Sequence, residues 1–131
     1  MAATVFPEGT QTAFTALAGT SATTVLTVDT AWKGAYLFGV MVTDSTGSVA
    51  TAAQVDVYRG STAWVLVPVG VGYPDADWNL EWVAHWPIRL NRGDLVRVTG
   101  ASGHHVFVSY AQIGTDTGVS AQQSASASAP R

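Results

Sequence analysis

The sequence predicts an all-β protein, an antiparallel β-sandwich or jelly roll of about eight strands. Val and Thr dominate the segments between turns, and both favour extended backbone because branching at Cβ restricts χ1. Gly, Pro, Asn and Asp interrupt the chain every few residues, as turns between short strands require. No stretch shows the apolar period of an amphipathic helix.

The strands are placed by the alternation of apolar and polar residues and by the turns between them. The predicted strands are Thr12–Leu17, Thr23–Val28, Ala35–Thr43, Gln54–Arg59, Ala63–Val69, Leu80–Leu90, Leu95–Thr99 and Val106–Ile113. A spacing of roughly 8 to 14 residues between turn signals is typical of a sandwich.

The third predicted strand, Ala35–Thr43, is apolar on both faces, so we expect it in the centre of the fold or at an interface. Strict alternation places Tyr36, Phe38, Val40 and Val42 on one face and Leu37 and Met41 on the other.

The sixth predicted strand, Leu80–Leu90, is rich in tryptophan. Strict alternation places Trp82, Ala84, Trp86, Ile88 and Leu90 on one face, and this mixture favours core or subunit packing over stacking on sugars. Pro87 has no N–H for a ladder, so we expect the strand to bend or to lie at a sheet edge there.

The length of 131 residues suits one domain with extended ends. We predict an N-terminal arm at residues 1–12, a sandwich domain at 13–113 and a tail at 114–131. The tail is a low-complexity Ser/Ala-rich segment, which cannot bury enough surface to offset its ordering entropy in isolation. It is therefore a candidate contact arm in an assembly.

The composition points to association. Charged residues are only 11% of the chain while hydrophobic residues are 47%, against about 25% charged residues in ordinary globular proteins. Surface charge keeps proteins soluble and separate, so we expect much of this surface to lie against neighbouring subunits. There is no Lys/Arg cluster, which argues against nucleic-acid binding. Neither a signal peptide nor an apolar run long enough to span a membrane is recognisable.

Motifs for chemistry are weak, and we expect no enzyme, metal or cofactor. Cysteine is absent, which excludes disulfides and thiolate ligands. The adjacent His104 and His105 follow a turn and would point to opposite faces of a strand, while His85 is expected at the surface or an interface. No Gly-x-Ser-x-Gly elbow or phosphate-binding glycine loop occurs.

Two short motifs have simpler interpretations. Asp75, Asp77 and Asn79 partly resemble a Ca²⁺ loop, but no Glu follows at the required distance, which favours a plain polar loop. Arg92-Gly93-Asp94 matches an adhesion tripeptide, yet Asn-Arg-Gly-Asp is also the composition of a tight turn. We predict a turn.

The segment Trp86-Pro-Ile-Arg-Leu-Asn-Arg-Gly-Asp-Leu-Val-Arg-Val-Thr resembles small β-sandwich proteins of tailed-bacteriophage virions. The apolar strand before it, the Val55-Asp-Val-Tyr-Arg-Gly strand and the final Val106-Phe-Val-Ser-Tyr strand recur in order in such proteins. The resemblance implies a capsid decoration or minor capsid protein, or a tail or fibre component, in a virion assembled in the host cytoplasm.

The expected partners are the major capsid protein or other virion subunits, together with copies of the chain itself. A trimer is favoured because cyclic symmetry matches local capsid axes. The candidate contact residues are Tyr73 and Trp78 in a loop, Phe6 in the N-terminal arm and Val119 in the tail. The alternative is a glycan- or receptor-binding module of a tail fibre, for which Trp78 would lie exposed beside a polar groove.

Overall fold

The computed structural model describes residues 9–46, 52–68 and 80–114, which form strands and turns without any helix. The strands are β1 (Gln11–Ala16), β2 (Thr23–Thr27), β3 (Gly34–Asp44), β4 (Gln54–Arg59), β5 (Thr62–Val67), β6 (Leu80–Leu90), β7 (Leu95–Thr99) and β8 (His104–Ile113). Each end agrees within two residues with the prediction from alternation. Within these ranges no helix has the length and hydropathy to cross a bilayer.

The strands form two antiparallel sheets, which confirms the predicted β-sandwich. Sheet A has the order β1-β8-β3-β6, and sheet B has the order β2-β7-β4-β5. The nested pairing of β1 with β8, β2 with β7, β3 with β6 and β4 with β5 is typical of jelly-roll sandwiches. Strands β1 and β2 contact each other at one side of the sandwich, and β5 and β6 are the edge strands at the other.

The core lies between the sheets and consists mainly of valine. In sheet A, Val106, Val42 and Leu80 form one cross-strand row, and each is at most 1% exposed. In sheet B, Val98 lies beside Val55, and both are fully buried. Burial of each such side chain stabilises the fold by about 1.5–3 kcal/mol.

Strand β3 lies in the centre of sheet A, between β8 and β6, as its apolar composition predicted. Its predicted division into faces is wrong, because the register shifts between Leu37 and Gly39. The extra residue, Phe38, reverses the alternation. Leu37 and Val40 consequently both face the core, while Tyr36 is exposed on the outside.

Strand β6 is an edge strand, as Pro87 predicted. It is also interrupted there: Val83 pairs with Gly39 and Ile88 with Leu37, so β6 advances five residues where β3 advances two. The segment 84–87 thus leaves the ladder. Trp86 was predicted to pack in the core or against another subunit. It does not pack in the core, since its side chain is 72% exposed, and packing against another subunit stays a prediction. Trp82 and Ile88 pack against the core as expected.

The turn between β6 and β7 is built around a buried carboxylate. Asp94 is 2% exposed, accepts a hydrogen bond from the Asn91 backbone N–H at 2.7 Å and forms an ion pair with Arg59 at 2.6 Å. Hydrogen bonding to Asp94 raises the pKa of Arg59 above its ordinary value. The turn interpretation of Arg92-Gly93-Asp94 is confirmed, because this carboxylate is occupied inside the fold.

His104 lies at the start of β8 and is fully buried. Its Nδ1 accepts a hydrogen bond from the Ala101 backbone N–H at 3.1 Å, which places the proton of the neutral ring on Nε2. Nε2 is buried without a hydrogen-bond partner. Burial lowers the pKa of His104 below its ordinary value, although the nearby carboxylate of Asp44 acts in the opposite direction.

Gly39→Ala is expected to destabilise the fold by about 1–3 kcal/mol, because it overpacks the close approach of β3 and β6. A Cβ at Gly39 would lie 2.9 Å from the backbone oxygen of Trp82, whereas a Cβ at Gly19 would meet nothing within 4 Å. Urea unfolding of the G39A and G19A variants measures the difference. Equal midpoints for the two variants would contradict the described register.

His104 is expected to make the free energy of unfolding fall as the pH drops below about 6.5, because the unfolded chain then binds a proton that the native state resists. His104 contributes at most about 1.4 kcal/mol per pH unit to the slope of the unfolding free energy against pH. Unfolding of the wild type and of H104Q between pH 7.5 and pH 5.5 measures it, with H105Q, at the exposed neighbour, as control. The same slope in all three proteins would show that His104 is not a buried neutral base.

Candidate functional site

The outer faces of the two sheets differ in chemistry. On sheet B, Arg97 donates to the buried carboxylate of Asp56 at 3.0 Å and lies 4.0 Å from the centre of the Tyr58 ring. Asp56 and Arg97 are direct partners in the ladder and face outward, because the residues on either side of them in β4 and β7 face the core. The centre of the outer face of sheet B is therefore polar and internally neutralised, while Val65 on the edge strand β5 is an exposed apolar residue beside Asp56.

The outer face of sheet A is apolar. Phe14, Phe107 and Met41 form one row across β1, β8 and β3, and the rings of Phe14 and Phe107 meet edge to face at 5.3 Å. Gly39 and Val83 lie in the next row. We call these five residues the sheet A face. Phe14, at one end of the row, is 71% exposed, while Phe107 and Met41 are half-buried.

A shallow groove of about 390 Å³ lies on the sheet A face. Its position follows from Gly39, which contributes no side chain between the larger residues Met41 and Val83. Thr12, Ser109 and Glu81 supply the polar groups at its border. An apolar surface with a polar border is typical of a contact site for another protein.

A second apolar surface lies at the side of the sandwich where the edge strands of the two sheets face each other. We call it the edge cleft. It has a volume of about 330 Å³ and is lined by Val57, Arg59, Trp64, Leu66, Ile88, Arg89 and Leu90. Residues of β4 and β5 line it from sheet B, and residues of β6 line it from sheet A. Trp64 is 62% exposed there.

The interrupted part of β6 adds a third exposed aromatic residue. Trp86 projects from the segment that leaves the ladder, with its ring 6.3 Å from that of His85. Single exposed apolar residues are common on monomers, but extended apolar patches are rare and mark interaction sites. The described surface therefore presents three exposed aromatic side chains, Phe14, Trp64 and Trp86.

The titratable residues in the described ranges do not form a metal centre. No group of three or more His, Asp or Glu side chains comes close enough to hold an ion there. His104 is buried and His105 is exposed, so the adjacent histidines face opposite ways, as predicted.

The predicted contact residues are not among those that the structure describes. Phe6, Tyr73, Trp78 and Val119 lie outside the described ranges, as do Asp75, Asp77 and Asn79. Instead, the structure identifies Phe14, Trp64 and Trp86, which sequence reasoning missed. A signal existed for Phe14, the single large apolar residue in the polar strand Gln11–Ala16. No feature of the sequence predicts that Trp64 is exposed, because its apolar neighbours Val65 and Leu66 are equally consistent with a core position.

No family model and no curated protein matches the chain. A similar solved structure is described as "Crystal Structure of a Pentameric Capsid Protein Isolated from Metagenomic Phage Sequences Solved by Iodide SAD Phasing". It is 17% identical with a TM-score of 0.48, over 88% of this chain and 76% of that chain.

Phe14→Ser is expected to reduce binding of a hydrophobic dye by the native protein, because Phe14 is the most exposed residue of the sheet A face. The free energy of unfolding should fall by no more than about 1.5 kcal/mol, the upper value for an aromatic pair beyond its area burial. The control is V65S, which removes an exposed apolar residue of β5. Equal dye loss in both variants would contradict a binding surface centred on sheet A.

Proposed function

We propose that this chain is a non-enzymatic structural subunit of a tailed-phage virion that binds neighbouring subunits through the sheet A face and the edge cleft. The observation that carries the proposal is the exposure of Phe14, Trp64 and Trp86, at 71%, 62% and 72%, in a chain with only 11% charged residues. Such a surface is costly in water and becomes favourable when a partner covers it.

The finer proposal is a capsid decoration or minor capsid protein that binds the major capsid protein and forms a homo-oligomer, with a trimer favoured. The residue pattern at 86–99 and the sandwich fold support it. Burial of apolar area at each contact contributes about 25 cal/mol per Å², and repeated copies on one particle add avidity. In this proposal the Ser/Ala-rich segment 114–131 is a contact arm on the particle.

The direct test is quantitative mass spectrometry of gradient-purified particles of a phage that encodes the chain. We expect the chain in a fixed ratio to the major capsid protein, and we expect it to be retained through high-salt washing because apolar contacts are insensitive to charge screening. Absence of the chain from the particles would overturn the proposal. Deletion of residues 115–131 should lower the copy number if that segment is a contact arm.

A second candidate function is binding of glycans by a tail-fibre module. The observation that favours it is the exposure of two tryptophans, Trp64 and Trp86, since aromatic rings present flat apolar faces on which sugars can stack. Glycan-array binding that is lost in both W64A and W86A, and kept in V65S, would support this candidate over a virion contact surface. No binding by the wild type would remove it.

A further inference from the structure

The edge cleft is lined by apolar residues and by two arginines. Val57, Leu66 and Ile88 give it an apolar lining, and Arg59 and Arg89 lie at its border. The charge of Arg59 is compensated by Asp94. Arg89 instead donates to the backbone oxygen of Lys33 at 3.3 Å, so its positive charge is not compensated by that contact. The cleft therefore suits an apolar segment with a carboxylate beside it.

The chain itself contains such a segment before β1. The sequence Val5-Phe6-Pro7-Glu8 places two large apolar residues next to an acid. We infer that the edge cleft binds Val5 and Phe6 of a second copy of this chain, with Glu8 near Arg89. This inference rests on the proposed function, because it supplies the contact by which copies associate.

The local sequence favours an extended segment. Pro7 has a fixed φ, and the residue before a proline, here Phe6, is restricted to extended backbone. A segment that is already extended loses less conformational entropy when it is ordered in a cleft. Phe6 and Glu8 are two residues apart, so in an extended segment they lie on the same side.

The path of the chain disfavours its own cleft as the place where Phe6 binds. Gln11 and Ile88 lie in one cross-strand row through Tyr110 and Leu37, three strand spacings or about 14 Å apart. Phe6 precedes Gln11 by five residues and can lie at most about 18 Å from it, so it reaches its own cleft only if the segment runs almost straight across the strands. A cleft in a second copy imposes no such path, which favours an occupant from another copy.

Apolar content favours this segment over the tail as the occupant. Residues 115–131 have Val119 as their one sizeable apolar residue, which leaves an apolar cleft largely unfilled. The N-terminal segment offers two such residues next to each other. Both segments contain an acid for the arginine at the border to attract, Glu8 and Asp116.

Disulfide trapping in the full-length chain tests the inference, because the natural sequence has no cysteine. The double variant F6C/L66C is oxidised mildly and separated without reductant. We expect disulfide-linked dimers and longer chains. F6C/A63C is the matched control, since Ala63 lies on the same strand but outside the cleft, and we expect it to remain mostly unlinked. F6C/I88C replaces the first variant if L66C impairs folding.

A linked monomer in F6C/L66C would overturn the inference, because it would show binding within one chain. Linkage no greater than in the Ala63 control would also overturn it. Mixing F6C and L66C single variants that carry different mass tags should give the heterodimer.

Association constants give a second, independent readout. Loss of a buried aromatic ring in F6A should weaken self-association by about tenfold or more, while T4A should stay close to the wild type. Unchanged association in F6A would overturn the inference.

The two proposals fail separately. If the chain is present in purified particles but the cysteines do not link between copies, the virion role stands and the cleft contact is wrong. If the cysteines link between copies but the chain is absent from particles, the cleft contact stands and the virion role is wrong.

Discussion

The sandwich closes at one side, where β1 meets β2, and the edge strands β5 and β6 face each other at the other. The two edge strands differ in length, since β6 has eleven residues and β5 has six. Segment 84–87 of β6 also leaves the ladder. Core-facing residues at this side, such as Val57 and Ile88, therefore border a cleft, and Trp64 and Trp86 project into solvent. The open side therefore leaves apolar surface in contact with water, which is an energetic constraint on the isolated chain.

The few charges of the chain make this constraint stronger. Asp94 pairs with Arg59, and Asp56 pairs with Arg97, so these four charged residues serve to hold strands of sheet B together. Their carboxylates are buried and give no solubility. The described surface is consequently poorer in free charge than the composition indicates, and free charge is what keeps proteins apart.

The sequence predicted the strands well because alternation and turn residues are local signals. Pro87 correctly indicated an edge strand. The breaks in register at Phe38 and at 84–87 were not predictable, because an extra residue is revealed only by the pairing partner. They changed which residues face outward, and so the exposure of Trp86 was missed. Burial of Asp94 depends on Arg59, which is far away in sequence. The contact residues chosen from loops and arms lie outside the described ranges.

We propose that the apolar surfaces of this chain function by being covered in an assembly. Hydroxyl-radical footprinting of the purified chain and of intact particles measures this directly, with oxidation quantified at Phe14, Trp64 and Trp86. We expect strong oxidation of all three in the free chain and marked protection of at least Phe14 and Trp64 in the particle. Equal oxidation in both states, with the chain present in the particle, would contradict it.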